Sequence, residues 1–316
     1  MATITQLEYV LAVAKAKHFG KAAEECHVAQ PSLSNQIQKF EDEIGVVIFD
    51  RSKKPILITD MGLEIIEQAQ IVIQEFKRLQ VIADNGKSYP RGDFNLAVIP
   101  TLAPYVIPYF IGEFSKKYPD VNLKINEYKT EDIVKKLIND EIDGALLVTP
   151  LNDDRLIERH LFYEPFYAYV SENLPLAKKK VLKESDLDVN NLWLLEEGHC
   201  FRSQVLKVCS LNKKSSALSN VEFASGNLET LKNLVKKNSG YTLLPELAIM
   251  DLSKEDRKKY IHKINDPIPT REVSLVHGRV FYKENIMNAL EDCIVKGIPK
   301  NIRSLKKDSY SVIDID

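Results

Sequence analysis

Long apolar runs, cysteines and net charge are all scarce in this chain, and each scarcity excludes something. No stretch approaches the roughly eighteen consecutive apolar residues of a membrane-spanning helix, so no membrane partner is expected. The opening Met1-Ala2-Thr3-Ile4-Thr5-Gln6 has no basic segment followed by an apolar one, so no export leader is read. Cys26, Cys200, Cys209 and Cys293 are four cysteines in 316 residues. They are too few and too unevenly placed for a disulfide scaffold and suit a reducing, cytoplasmic setting. Cys200 and Cys209 with His199 lack the usual zinc-ligand spacing, so no metal is expected, and no cofactor is read either. With 43 Lys and Arg against 45 Asp and Glu, the formal net charge is −2. No global positive field draws the chain to nucleic acid, and any such surface must be local.

What is present is an ordinary globular composition, 44% apolar and 28% charged, long enough for two or three domains. Residues 1–59 read as a small helical unit. Leu7, Val10, Leu11 and Ala14 recur at helical spacing, and a short helix follows over His18–Val28. Ala29-Gln30-Pro31-Ser32 then breaks and restarts the chain, with Pro31 favourable at a helix start. Leu33, Ile37 and Phe40 give the third helix an inner face. Its outer face carries Gln30, Ser32, Ser34, Asn35 and Gln36, small or amide-bearing, with Lys39 at the rear. Two helices across a tight turn, the second with an uncharged hydrogen-bonding face, form a helix-turn-helix pattern. Amides and hydroxyls of that kind can bond base edges. Arg51 and Lys53 lie between the apolar runs Val46–Phe49 and Ile56–Ile58, as on a hairpin wing whose tip touches DNA backbone. The alternative is a solvated helix face with no ligand.

Thr59 is a good N-cap for a long helix from Asp60 to Ala83. Ile65, Ala69, Val72, Phe76 and Leu79 alternate steps of four and three, a heptad seam that predicts a dimer helix. Residues 60–90 therefore read as linker helix and hinge. From 91 to 300 strands and helices alternate. Strands are expected at Phe94–Ile99, Val121–Asn126, Gly144–Val148, Phe166–Val170, Leu192–Leu195, Val221–Ala224, Tyr241–Leu244 and Val273–Val276. Helices are expected at Thr101–Tyr118, Thr130–Asn139, Leu228–Lys237 and Asn285–Val295. Such alternation predicts α/β lobes with a parallel sheet and a cleft at the strand ends, where Thr101, Thr130 and Cys200 could meet. Residues 301–316 read as a polar tail.

One stretch stands apart: Glu196-Glu197-Gly198-His199-Cys200-Phe201-Arg202-Ser203-Gln204, with Cys209 nine positions after Cys200. On an unbroken helix nine residues span roughly 13 Å, whereas a disulfide needs Cα atoms about 4.4 to 6.8 Å apart. The pair is either two distant thiols on intact structure or one disulfide on remodelled structure. Cys200, at a helix start beside His199 and Arg202, is the more reactive candidate. Two small core hydrophobes are the other reading.

Ala22-Ala23, Gln30-Pro31-Ser32-Leu33-Ser34, Ile37, Glu41, Gly45, Phe49, Arg51 and Thr59-Asp60-Met61-Gly62 resemble the winged helix-turn-helix of LysR-type transcription regulators. The cysteine stretch, Ile99-Pro100-Thr101 and Asn227-Leu228-Glu229-Thr230-Leu231 are similar to the hydrogen-peroxide-sensing branch of that family. The resemblance implies a winged helix-turn-helix followed by a linker helix and a two-lobed, periplasmic-binding-protein-like α/β effector domain. It implies a recognition helix beginning near Pro31, with Arg51 contacting backbone. It implies an activator, not an enzyme, acting as a homodimer or homotetramer on a pseudo-palindromic double-stranded operator with RNA polymerase. Carried over, Cys200 is the peroxidatic thiol and Cys209 resolves it as a reversible disulfide. Thr101, Thr130 and His199 line a hydrogen peroxide pocket, and Arg202 holds the reduced geometry. Two further readings stand beside it: a regulator answering a small molecule in the cleft, and a thiol peroxidase.

Overall fold

The first helix starts where Thr3 closes a reciprocal capping box with Gln6, which satisfies donors that a helix N-terminus leaves orphaned. The computed structural model describes residues 2–84, 89–187, 191–209, 227–264, 267–279, 283–305 and 311–314. It divides into two units, residues 1–88 and 89–316.

In the first unit α1 (Ile4–Ala16), α2 (Phe19–Glu25) and α3 (Gln30–Ile44) surround a core of Val10, Val13, Ala22, Leu33, Ile37, Phe40, Ile48 and Phe49. Helix α2 is capped by His18, whose Nδ1 accepts from the Gly20 and Lys21 amides. The wing is a short antiparallel pair, β1 (Phe49–Asp50) with β2 (Leu57–Ile58). The 46–48 portion expected as strand lies outside the ladder.

Helix α4 (Asp60–Asp84) follows. The heptad seam read from its sequence divides here. Ile66 belongs to the core of this unit and Ile65 packs against it, while Ala69 and Ile73 are also buried. Val72, Phe76 and Leu79 stay exposed, together with Ile71. Ile65 is thus used inside the unit and Ala69 is buried. The available apolar stripe is the distal half of the helix.

The second unit matches the expected two-lobed α/β class, but its sheet is mixed rather than parallel. The main strand order is β4-β3-β5-β10-β6-β9-β7. Strands β3 (Gly92–Val98), β4 (Val121–Glu127) and β5 (Gly144–Thr149) are mutually parallel in pairs, with α5 (Ala103–Lys117) and α6 (Thr130–Ile138) between them. The departure is β6 (Leu156–Val170), of which only the last five residues were expected as strand. It runs antiparallel to β10 (Pro269–Gly278), and β10 is antiparallel to β5. Beyond Pro165, β6 pairs instead with β8 (Tyr241–Pro245) and β9 (Ile261–Ile264). One long strand therefore belongs to both lobes.

Around the second lobe lie β7 (Val181–Leu182), α7 (Cys200–Val208), α8 (Leu228–Lys237), α9 (Glu246–Ile249) and α10 (Lys254–Tyr260). Leu192–Leu195, expected as a strand, makes one isolated bridge, Leu192 to Tyr241. Its backbone is held instead by Trp193 N–H to the Tyr241 carbonyl and by the Thr242 hydroxyl to the Trp193 carbonyl. The expected strand Val221–Ala224 lies outside the described residues.

Helix α11 (Glu284–Gly297) packs on α5. The segment expected as a polar tail continues as α12 (Lys300–Arg303), with Ile302 fully buried. It then forms β11 (Ser311–Val312), parallel to β10. The physical reason is that β10 otherwise ends with ladder groups exposed. β11 satisfies them, with Ile313 N–H donating to the Thr270 carbonyl at 2.8 Å. No helix among the described residues is long and apolar enough to cross a membrane.

Candidate functional site: a cysteine between two lobes

Two helix starts converge on one cavity. Helix α6 begins at Thr130 in the first lobe and α7 begins at Cys200 in the second. Gly198, His199, Cys200 and Ser203 line a cavity of about 750 Å³ together with Thr130, Glu131, Lys135 and Arg155. The turn into α7 needs Gly198, whose φ is +88°, a region that costs a side-chain-bearing residue. A Cβ there would also stand 3.1 Å from Lys129 Cδ. Lys129, in the first lobe, reaches the turn before α7, with Nζ 3.0 Å from Glu196 Oε1 and donating to the Glu197 carbonyl at 3.1 Å.

The four cysteines are all free. Cys200 and Cys209 sit at opposite ends of α7, Cys200 its first residue and Cys209 its C-cap. Nine residues of helix keep them roughly 13 Å apart, so no disulfide can form while α7 is intact. Cys200 keeps partial access to the cavity, yet its packed surroundings push the thiol pKa up. The Thr130 hydroxyl and the Arg271 cation act in the opposite sense. Cys209 is 3% exposed, and burial pushes its pKa up to about 12, with a hydrogen bond from Tyr241 opposing. His199 is also buried, and burial followed by the Lys129 charge pushes its pKa down, so it is neutral near pH 7.

The pocket residues inferred from sequence do not all meet. Thr130 and His199 do: the Thr130 hydroxyl stands against the Cys200 thiol, and the buried His199 Nε2 lies 3.5 Å from Glu196 Oε1. Thr101 is not on the cavity wall. It lies behind, with its Oγ1 accepting from Arg271 Nη1 at 3.1 Å and its carbonyl from Nη2 at 3.2 Å. Arg202 turns away from the thiol and donates to the Leu195 carbonyl at 2.6 Å, closing the 195–202 turn. Phe201 is buried edge-on against Phe166 and beneath the Arg271 guanidinium.

The charge near Cys200 is therefore one that sequence reasoning missed. Arg271 and Glu164 are both fully buried. They face each other in register across β10 and β6, where the two lobes join. Arg271 Nε donates to Glu164 Oε2 at 2.8 Å, and Glu164 Oε1 accepts the Leu247 amide at 2.8 Å. The available signal was an Arg-Glu step directly before the strand expected at Val273–Val276.

On the first unit Gln30, Pro31, Ser32, Asn35, Gln36, Lys39 and Lys53 are exposed, as a recognition surface requires. Three expected contacts are otherwise engaged. Gln36 Oε1 accepts from Gln6 Nε2 at 3.2 Å. Arg51, expected to reach outward from the wing, turns inward to Glu41 Oε2 at 2.7 Å and Ser34 Oγ at 3.1 Å, and stacks over Phe19. The reason is Glu41, a largely buried carboxylate that also accepts the Ile48 and Phe49 amides. Such a charge needs a cation beside it.

The chain was compared with known proteins. Residues 4–63 match the model described as bacterial regulatory helix-turn-helix protein, lysR family, and residues 87–297 match the LysR substrate binding domain. A Haemophilus influenzae protein named hydrogen peroxide-inducible genes activator is 34% identical over 274 residues, 87% of this chain and 90% of its own length. The Escherichia coli K12 DNA-binding transcriptional dual regulator OxyR is 35% identical, with 87% and 88% covered. Among solved structures, a full-length OxyR variant from Pseudomonas aeruginosa superposes with a TM-score of 0.75 at 32% identity, covering 93% of this chain and 98% of that one. OxyR from Porphyromonas gingivalis gives 0.63 at 27% identity, covering 70% and 99%.

Proposed function

Since the chain belongs to the LysR family of DNA-binding transcription regulators, we propose that it is an activator switched by hydrogen peroxide through Cys200 and Cys209. The observation that carries this reading is the pair of thiols at the two ends of α7, one open to a polar cavity and the other buried. In the first step the Cys200 thiolate attacks one peroxide oxygen. The O–O bond breaks, the leaving hydroxide takes a proton to become water, and Cys200 is left as a sulfenic acid. The Thr130 hydroxyl beside the Cys200 thiol and the buried His199 ring on the cavity wall would hold the two oxygens. Arg271 supplies the positive charge that favours the thiolate.

In the second step Cys209 attacks the sulfenic sulfur, the S–S bond forms and hydroxide leaves. With a pKa of about 12 in the helix, Cys209 is almost wholly protonated at neutral pH. It becomes a useful nucleophile only when α7 unwinds and water reaches it. Unwinding thus supplies both the approach of the two sulfurs and the activation of the second one. The remodelled lobe surface then changes how the protein sits on its operator.

The test is a free-thiol count with peptide mapping before and after stoichiometric hydrogen peroxide. Loss of two of four thiols, with a reducible Cys200–Cys209 peptide, is the expected result. Four thiols remaining would remove the trigger and leave a regulator answering a larger ligand. The size of the cavity, about 750 Å³, suits such a molecule better than peroxide alone.

The exposed half of α4 supports a homodimer that presents two recognition helices to a pseudo-palindromic site. Phe76→Glu, which puts a charge into the Val72-Phe76-Leu79 stripe, is expected to shift the protein to monomer in sedimentation and to lower operator affinity more than tenfold. An unchanged mass would place the dimer elsewhere. Contact with RNA polymerase follows from activation in this family and is tested by co-sedimentation on operator DNA.

Arg51 acts in this reading by bracing the recognition helix. Arg51→Ala is expected to weaken binding at every salt concentration while leaving the slope of log affinity against log salt unchanged. A direct phosphate contact would instead flatten that slope by about one ion.

A further inference from the structure

The switch as described needs α7 to unwind, and the first question is what holds it. Halfway along the helix lies Gln204, four residues after Cys200 and five before Cys209. It is a fully buried amide. Its Nε2 donates to the backbone carbonyl of Ile313 at 2.6 Å. Ile313 follows β11, and its own N–H donates to Thr270, the residue before Arg271. Ser311 and Ile313 also line, with Lys207, Val208 and Cys209, a second cavity of about 810 Å³ on the far side of α7. The C-terminal strand is therefore bonded to the redox helix at its centre and shares a cavity wall with its Cys209 end. It is itself laddered to the strand that carries Arg271.

The geometry points to Gln204 as a positioning residue, anchored by the C-terminal strand, that holds α7 helical and so sets how fast the resolving step follows the peroxide step. This rests on the redox reading above, and it adds a division of labour within it. The first step, thiolate on peroxide, happens at the α6 side of Cys200 and touches neither Gln204 nor Ile313. The second step cannot occur on an intact helix. The turn that contains Gln204 must open before the two sulfurs meet, and the bond to Ile313 must break or carry the strand with it. Gln204 Oε1, moreover, is buried with no partner. The amide is half satisfied, so the helix is held by one bond and relieved of one penalty when it opens. An anchor of this kind lets the helix persist in the reduced protein without making it irreversible.

The prediction separates cleanly from ordinary destabilisation. In full-length protein, Gln204→Leu keeps the volume and the apolar contacts but loses the donor. Removal of residues 311–316 loses the acceptor. Each is expected to speed conversion of sulfenic acid to disulfide roughly three- to tenfold, the range for one net hydrogen bond. Formation of the Cys200 sulfenic acid, followed with a trapping reagent in a Cys209→Ser background, stays within twofold of the parent. Because both changes delete the same bond, Gln204→Leu adds nothing in the truncated chain. Hydrogen exchange of the α7 amides in the reduced protein gives a readout that needs no peroxide, and it rises in the same non-additive way. Unchanged disulfide rate and unchanged exchange in Gln204→Leu would overturn the anchor, as would effects of the two changes that simply add. If the parent forms no Cys200 sulfenic acid, it is the redox reading that fails. The exchange measurement then still decides whether Gln204 holds α7 through the C-terminal strand.

Discussion

Cys200→Ser is expected to abolish induction by hydrogen peroxide while operator binding stays at the level of the reduced protein. The hydroxyl of serine does not ionise near neutral pH and cannot be oxidised to a sulfenic acid, so neither step of the switch can begin. The replacement is nearly isosteric at the first residue of α7, and a serine hydroxyl can keep the contact that the thiol makes with Thr130. Helix α7, the turn closed by Arg202 and the Lys129–Glu196 contact are therefore expected to survive. The reader of DNA is in residues 1–88, a unit with its own core, so its surface is not altered. The check pairs an operator-driven reporter, expected to lose its peroxide response at least tenfold, with a gel-shift titration expected to be unchanged. A normal induction in the variant would sink the thiol mechanism, and a lost gel shift would mean that the serine protein had misfolded.

Arg271→Ala is expected to be the most destabilising single change in the second unit. It strands Glu164, a fully buried carboxylate, with only the Leu247 amide for company. Breaking one partner of a buried pair costs about 3 to 5 kcal/mol, which for a domain near 200 residues lowers the melting temperature by on the order of 10 °C. The more informative protein is the double variant Glu164→Gln with Arg271→Met. It removes both charges, keeps an acceptor for Leu247 and restores apolar contact with Phe201. Neutral replacement of a buried ion pair is often close to neutral for stability, so most of the lost melting temperature is expected to return. Peroxide reactivity of Cys200 is not expected to return, because the cation that offsets burial of its thiolate is gone. A double variant that is stable and fully reactive would show that Arg271 serves the fold alone. One that stays unstable would show that the pair contributes more than charge balance.

These two outcomes sort what was readable from what was not. The helix-turn-helix was legible because its evidence is local. Leu33, Ile37 and Phe40 recur at helical spacing, Pro31 marks a helix start, and each of the three apolar residues is buried where the pattern puts it. The cysteine pair was legible for the same reason, since helix rise alone makes nine residues too long for a disulfide. Strand β6 was not. Leu156 to Pro165 carries Glu158, Arg159, His160 and Glu164 and ends on a proline, a composition that argues against a central strand. The structure accepts it because Glu164 meets Arg271 from a strand 107 residues away. Likewise α4 shows one heptad stripe in sequence, and only packing reveals that Ile65 is taken up by the core of its own unit while Phe76 is left exposed.

By itself, then, the order of residues determined the modules, their periodicities and the two thiols that cannot meet on a helix, because each depends on neighbours within a turn or two. Tertiary structure alone decided which cation stands near Cys200, that Thr101 bonds to Arg271, that Arg51 bonds to Glu41 and Ser34 of α3, and that Gln204 of α7 bonds to the Ile313 carbonyl. Each of those is a match between a buried polar group and a partner distant in sequence. Such matches are set by the desolvation cost of leaving the group unpaired, which no local pattern records.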